Sequence, residues 1–264
     1  MKTAILVIAA TVKPLYRHYI NHYWAEVINY TNTSEPDIDV YLLFDHSTNL
    51  DNFSHLRDNI IQEPVHFRED NVVDEQHRRM MSARILSKTT YALELLKDKY
   101  DVFFRTNLSS MIRISLFKEF INNREAIGYS GGMVWKDSLR KNMQANGKIG
   151  ADKKIKSLSE LDCFIGNSFV SGCGYFLNRK EATHLVQSKD KFRYEIADDV
   201  MVGLMMESYE LLRNFIYVAR KTKTIPELLD DIHKKKTPHI RIQHFPLPLA
   251  QDFWHQTSDG EIWK

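Results

Sequence analysis

The sequence predicts an α/β protein with a mostly parallel central sheet flanked by helices. Three observations point there. The chain opens β-α-β: Lys2 to Ala10 is a buried-strand pattern, Leu15 to about Tyr30 has helical spacing, and Ile38 to Phe44 is a second strand. A further apolar run, Val102-Phe103-Phe104, stops abruptly at Arg105 and gives way to Thr106, Asn107, Ser109 and Ser110. Each of these strands leaves through small or polar residues: Ala9, Ala10 and Thr11 after the first, Asp45-His46-Ser47 after the second. Open α/β sheets bind ligands outside the carboxyl ends of their strands, so these exits are the expected site. The plain alternative for the third exit is a strand ending in a Ser/Asn turn.

The bulk numbers fit this class and exclude others. The chain has 264 residues, 43% hydrophobic and 27% charged, which suits an ordinary globular enzyme. A net charge of +2 gives no basic stripe for nucleic acid. The apolar run Ala4 to Ala10 is too short for a signal h-region with its cleavage site or for a membrane span, so the expectation is a soluble, cytoplasmic protein. Two cysteines, Cys163 and Cys173, make no disulfide framework and no CxxC. A reducing compartment is the default, with one bridge between them left open.

The remaining elements follow in order. Pro14 opens the first helix, whose apolar positions Tyr16, Tyr19, Ile20, Tyr23, Trp24, Val27 and Ile28 share one face. Thr31 to Pro36 is a turn. No GxGxxG follows the first strand, which argues against a dinucleotide-binding domain. A short strand is expected around Val65-His66-Phe67, beside an acidic stretch with Glu69, Asp70 and Asp74. Glu75 to about Lys99 reads as a helix, and Ser115 to Asn122 as a short amphipathic one. Ile127 to Tyr129 reads as a strand before a flexible Gly131-Gly132, and Val134 to Leu161 as a mobile loop carrying Trp135. Phe169 to Leu177 is a strand interrupted by Gly172 and Gly174, glycines of the kind that mark close backbone approach to a ligand. Arg179 to Gln187 is a helix. Asp198 and Asp199 begin another, which runs to about Tyr209. Phe215 to Val218 is read as the final core strand, Lys234 to Lys236 as a solvated turn, and the tail from His239 as apolar-alternating and then aromatic. No repeat or linker divides the chain, so residues 1–264 are taken as one domain.

Four blocks, in order, resemble the GT-A-fold glycosyltransferases, nearest to the fringe and β-1,3-galactosyltransferase-like group. Leu86-Ser87-Lys88-Thr89 resembles that group's Leu-Thr-x-Lys-Thr helix. Tyr100 to Ser110 stands where the group has a strand and an Asp-x-Asp motif. Val170-Ser171-Gly172-Cys173-Gly174-Tyr175-Phe176-Leu177 resembles Gly-x-Gly-Tyr-Val-Leu-Ser. Asp198-Asp199-Val200-Met201-Val202-Gly203 resembles Glu-Asp-Val-x-Val-Gly. The blocks span roughly Ser87 to Gly203.

The resemblance implies a nucleotide-sugar half, about residues 1–110, and an acceptor half, about 111–264. It implies transfer from a UDP-sugar to a glycan or glycoprotein hydroxyl, with inversion. Such enzymes hold Mn²⁺ or Mg²⁺ on Asp-x-Asp, but here the positions read Arg105-Thr106-Asn107-Leu108-Ser109. Neutral Asn and Ser oxygens replace carboxylates poorly around a hard cation. Without a metal, Arg105, Lys88 and Arg84 are the candidates for neutralising the diphosphate, with Thr106, Asn107 and Ser109 beside them. Arg84 and Lys88 also stand one helical turn apart, as on a solvated face.

Asp45 and Thr11, at the first two strand exits, are expected at the nucleoside. By resemblance Asp199 is the general base; of the adjacent acidic pair at the helix start one carboxylate caps the helix, taken as Asp198, and Asp74, in the acidic loop, is the rival base. Trp135 is expected to stack on a sugar, and Gly172, Cys173 and Gly174 to line the acceptor side. His239 and His244 are expected in the core or at phosphate. Two alternatives stand: a retaining enzyme on the same fold, and a non-catalytic nucleotide- or glycan-binding module.

Overall fold

The computed structural model describes residues 1–11, 13–46, 48–64, 77–135, 168–192, 198–220, 223–243, 245 and 247–259. The first strand, β1 (Thr3–Ile8), has all six residues buried. It must be covered on both faces, and alternate side chains enter two separate cores. Ile5 and Val7 join one core; Ala4, Leu6 and Ile8 join the other.

Helix α1 (Pro14–His18) starts with proline at its first turn, where no intrahelical donor is needed. It passes into a π-helical turn, Tyr19–Trp24, and then α2 (Ala25–Ser34). The sequence shows one helix here; the wider turn within it sets four large buried side chains, Tyr19, Ile20, Tyr23 and Trp24, against the sheet. Strand β2 (Ile38–Phe44) follows, then 3₁₀ turns at Asp51–Asn59 and a three-residue strand, β3 (Ile60–Gln62). Helix α3 (His77–Leu96) leads to β4 (Val102–Asn107), β5 (Ser110–Ile112) and α4 (Ile114–Asn122). Then come β6 (Ser130–Gly131) and β7 (Val134–Trp135). Beyond them lie β8 (Phe169–Val170), β9 (Gly174–Asn178) and α5 (Arg179–Gln187), the last opened by an Asn178/Glu181 capping box. The chain continues through α6 (Asp198–Met205), β10 (Glu210–Leu211), β11 (Ile216–Arg220), α7 (Ile225–Lys235), β12 (His239–Gln243) and α8 (Leu247–Asp259).

The central sheet has seven strands in the order β10-β6-β9-β4-β1-β2-β3. Strands β3, β2, β1 and β4 are parallel, and β9 runs antiparallel beside β4. A second, three-stranded sheet, β11-β12-β5, branches from the end of β4. Two aromatic hydrogen bonds fix that branch. Trp24 Nε1 donates to the Leu108 carbonyl at 3.0 Å, and the Tyr23 hydroxyl accepts from the Ile112 amide at 2.5 Å. The helical segment after β1 therefore holds the turn between β4 and β5 in place.

Several expectations change. Ile127–Tyr129 is not a strand; pairing begins at Ser130. Gly131 is not flexible but is a strand residue with no room for a side chain. A Cβ there would lie 2.3 Å from Val170 Cγ1 and 2.7 Å from the Gly174 carbonyl. The glycine-interrupted strand is two strands, β8 and β9, which pair with different partners. The helix at Asp198 ends at Met205, short of Tyr209. β11 is not the final strand, because the alternating tail forms β12 beside it, and Lys234 and Lys235 lie at the end of a helix. The strand expected at residues 65–67 and the loop expected over residues 136–161 fall outside the described residues. No helix among the described residues is long and apolar enough to cross a membrane.

Gly131→Ala is expected to cost about 1–3 kcal/mol by overpacking, read as a lower midpoint in urea with an unchanged slope.

Candidate active site

Two groups of polar side chains gather at the carboxyl edge of the parallel strands. The first lies over β1, β2 and β3. Asp45 follows β2 and Glu63 follows β3, where the Glu63 amide donates to the Phe44 carbonyl at 3.1 Å. Lys88 reaches in from α3 and donates to the Ala9 carbonyl at 2.9 Å. Ser87, beside it on α3, donates to the Glu63 carboxylate. Thr48 donates to Asp45 Oδ1 at 3.3 Å.

Burial pushes Lys88 down to about 8, although Asp45 and Glu63 pull it up; Arg105 and Arg84 lower it further. Burial also pushes Glu63 up to about 7, with Lys88 opposing and Asp45 adding. These groups share one field, and Lys88 is buried, not part of a solvated face. Arg84 is half-buried a turn away, and Thr11 is half-buried with its carbonyl accepting from Arg17 Nε at 3.0 Å.

The second group surrounds Gly172, in the turn between β8 and β9. Arg105 is buried in β4. Its Nη2 pairs with Asp198 Oδ2 at 2.8 Å, its Nη1 donates to the Gly172 carbonyl, and the guanidinium lies 5.5 Å from the Tyr175 ring centre. Asn107 Nδ2 donates to the same carbonyl at 2.9 Å. The Gly172 amide donates to Asp199 Oδ2 at 3.0 Å, and the Val200 amide donates to Asp199 Oδ1 at 3.0 Å. A Cβ on Gly172 would stand 3.1 Å from Arg105 Nη1 and 3.2 Å from Asp199 Cβ. A side chain there would force these neighbours to give by a few tenths of an ångström, so glycine suits the close approach.

Thr106 is buried; its hydroxyl lies 2.9 Å from both the Cys173 carbonyl, to which it donates, and the Ser110 hydroxyl, with His239 Nε2 at 3.4 Å. Ser109 accepts from Arg241. Gly174 carries no side chain because one would fall 2.6 Å from His239 Cε1 and 2.8 Å from Phe104 Cζ. Cys173 is a free thiol whose pKa burial pushes up. Trp135 is 38% exposed in β7, opposite Phe169. Asp74 and His244 lie outside the described residues.

The described residues do not suit Mn²⁺ or Mg²⁺. At the position of the missing carboxylates a guanidinium occupies Asp198, and a cation would have to displace it. His239 is a poor ligand candidate: it is fully buried, burial and the Arg241 charge push it down to about 3, and it packs against Phe104 and Phe215. No group of three acidic, histidine or cysteine side chains among the described residues forms a metal site.

The structure thus brings together Asp45, Lys88 and Arg84 in one group, and Arg105, Asn107, Gly172, Asp198 and Asp199 in the other. Sequence reading missed two neighbours, Glu63 and Arg241. Glu63 follows a strand too short to show a pattern. Arg241 had a signal: it alternates with Ile240 and Ile242, which places it on the face opposite these apolar residues.

No protein-family model and no curated protein matches the chain. Solved structures do. One similar structure is a glycosyltransferase involved in the glycosylation of the major capsid of PBCV-1, at 8% identity. It covers 97% of this chain and 100% of that one, with a TM-score of 0.50. The galactosyltransferase LgtC is similar at 15% identity, covering 98% and 96%, with a TM-score of 0.48. Mouse xyloside xylosyltransferase 1 is similar at 11% identity, covering 92% and 97%, with a TM-score of 0.46. At 8% identity the first likeness establishes the fold alone, and that fold is the GT-A glycosyltransferase fold.

Glu63→Gln tests the electrostatics of the first group. A carboxyl whose folded pKa is raised from 4.5 to about 7 stabilises the fold below 4.5 and loses that contribution as pH rises toward 7. The Tm of the variant relative to the parent is therefore expected to be higher at about pH 8 than at about pH 5. A pH-independent difference would place Glu63 in a water-like environment.

Proposed function

We propose that the chain is a glycosyltransferase that moves a sugar from a UDP-sugar to a hydroxyl of a glycan or glycoprotein, inverting the anomeric centre and using no divalent metal. One observation carries this reading: on a GT-A sheet, the Arg105–Gly172–Asp198–Asp199 cluster closes the carboxyl edge of β4 beside the group formed by half-buried Asp45 and buried Glu63 and Lys88. Ligands of open α/β sheets bind at that edge.

Residues 1–110 form the nucleotide-sugar half in this reading, and 111–264 the acceptor half. Asp45 and Thr11 meet the nucleoside. Lys88 and Arg84 supply positive potential from α3, and Asn107 and Ser109 supply hydrogen-bonding groups at the end of β4. Trp135 offers an exposed ring to a sugar face. In the transfer, the acceptor oxygen forms its bond to the anomeric carbon as the bond to UDP breaks, and the acceptor proton passes to a carboxylate.

Of the two carboxylates, the reading favours Asp198. Asp199 is buried and both its oxygens accept backbone amides, so its role is to hold Gly172 and the start of α6. The Asp198 side chain keeps 13% of its surface open and is assigned the proton. Reach comes before basicity in choosing a base. This proposal exchanges the roles that the sequence led us to expect for Asp199 and Asp198.

Release of UDP from a panel of UDP-sugars with glycan acceptors tests the activity; tight binding with no turnover would identify a binding module instead. The anomeric configuration of the product separates inversion from retention. Asp198→Asn is expected to lower kcat about 10²–10⁴-fold and also to lower Tm, because it leaves the buried Arg105 guanidinium without its counter-charge. Asp199→Asn is expected to act mainly on Tm. UDP affinity is expected to change less than about tenfold, roughly 1.4 kcal/mol, between excess EDTA and added Mn²⁺. A larger loss in EDTA overturns metal-free binding.

A further inference from the structure

Arg241 lies in β12, opposite Ser110 of β5. Ile240 and Ile242 on either side of it are buried in the core. His239 and Arg241 occupy the opposite face, and both reach the carboxyl end of β4: His239 meets Thr106, and Arg241 donates to the Ser109 hydroxyl. Burial lowers the pKa of Arg241. The titratable and charged groups that face it are Cys173 before β9, Arg105 in β4, Tyr19 in the π-helical turn and Tyr16 in α1. None is a carboxylate, and among the described residues no Asp or Glu is ion-paired with it.

Arg105 is different. Its charge is met by Asp198, and its Nη1 is held by the Gly172 carbonyl. Two arginines therefore stand close together with one of them neutralised. A desolvated cation lacking a counter-charge is unfavourable, and an anion arriving beside it removes that penalty. The guanidinium fork matches phosphate oxygens, and the Ser109 hydroxyl, which accepts from Arg241, keeps its own hydrogen to donate.

We propose that Arg241, and not Arg105, receives the diphosphate of the donor, with the Ser109 hydroxyl as its partner. The identity of the donor as a nucleotide-sugar rests on the function proposed above; the anion site rests on Arg241 alone.

The test is calorimetric titration of the full chain with UDP, uridine and inorganic pyrophosphate, using wild type, Arg241→Gln and Arg241→Lys. Arg241→Gln is expected to lose about tenfold to a hundredfold in affinity for UDP and pyrophosphate, the range of a charge-assisted contact, and nothing for uridine. Arg241→Lys keeps the charge without the fork and is expected to lose several fold; it stands in for the Gln variant should that one not fold. Wild type that binds pyrophosphate but neither UDP nor uridine sinks the nucleotide reading and keeps the anion site. UDP binding unchanged in the folded Arg241 variants overturns the anion site and keeps the nucleotide reading. Wild type that binds none of the three overturns both.

Discussion

The Arg105 side chain leaves the middle of β4 and meets Asp198, the Gly172 carbonyl and the Tyr175 ring at once. Much of the site depends on this contact. It joins the parallel half of the sheet to the segment that returns antiparallel through β9, and it fixes the start of α6 over the carboxyl edge. Gly172 favours it, since a side chain there would crowd both the arginine and the aspartates. The pair is nearly dry, so losing either partner would strand the other as a buried charge, which is far costlier than the pair is favourable. The same contact consumes Asp198 Oδ2 and leaves a guanidinium where a cation-binding carboxylate stands in the related motif. One substitution pattern thus changes both the scaffold and the charge that a ligand meets.

The potential along the edge is uneven. Over β1 to β3, two carboxylates, Asp45 and Glu63, face two cations, Lys88 and Arg84, and burial shifts Glu63 and Lys88 in opposite directions. Over β4 and β12, Arg105 is paired with Asp198, whereas Arg241 is ion-paired with no carboxylate among the described residues. Under the proposed function, the anionic part of the donor would meet Arg241, the cation left without a carboxylate partner among the described residues.

Much of the fold was legible because its strands are buried on both faces. Ala4 to Ile8 and Val102 to Phe104 are unbroken apolar runs, and such runs announce themselves without alternation. The short strands did not. Ile60–Gln62 and Ser130–Gly131 hold too few residues for a period, and Gly131 resembles a hinge until its neighbours are seen. α8 was hidden because Leu247, Phe253 and Trp254 follow a proline-rich aromatic stretch. In the site, Gly172, Asp198 and Asp199 were legible as blocks with fixed spacing. The pairing that gives them roles was not, because Arg105 and Asp198 are ninety-three positions apart and nothing local links them. Arg241 was hidden between two histidines, whose ring nitrogens are the more familiar ligand signal.

The stacking of Tyr23 on Trp254, with ring centres 4.4 Å apart, has a consequence for the order of assembly. Tyr23 also holds the β4–β5 turn through Ile112, so the two aromatic rings tie the earliest helical segment, the middle of the chain and α8 into one cluster. During synthesis the first two strands and their helix emerge long before the ring that completes this cluster. Until it arrives, the nascent chain carries an uncovered aromatic surface, a condition that favours chaperone engagement and penalises premature release. Contacts of such long sequence separation also make final docking slow relative to the local helices.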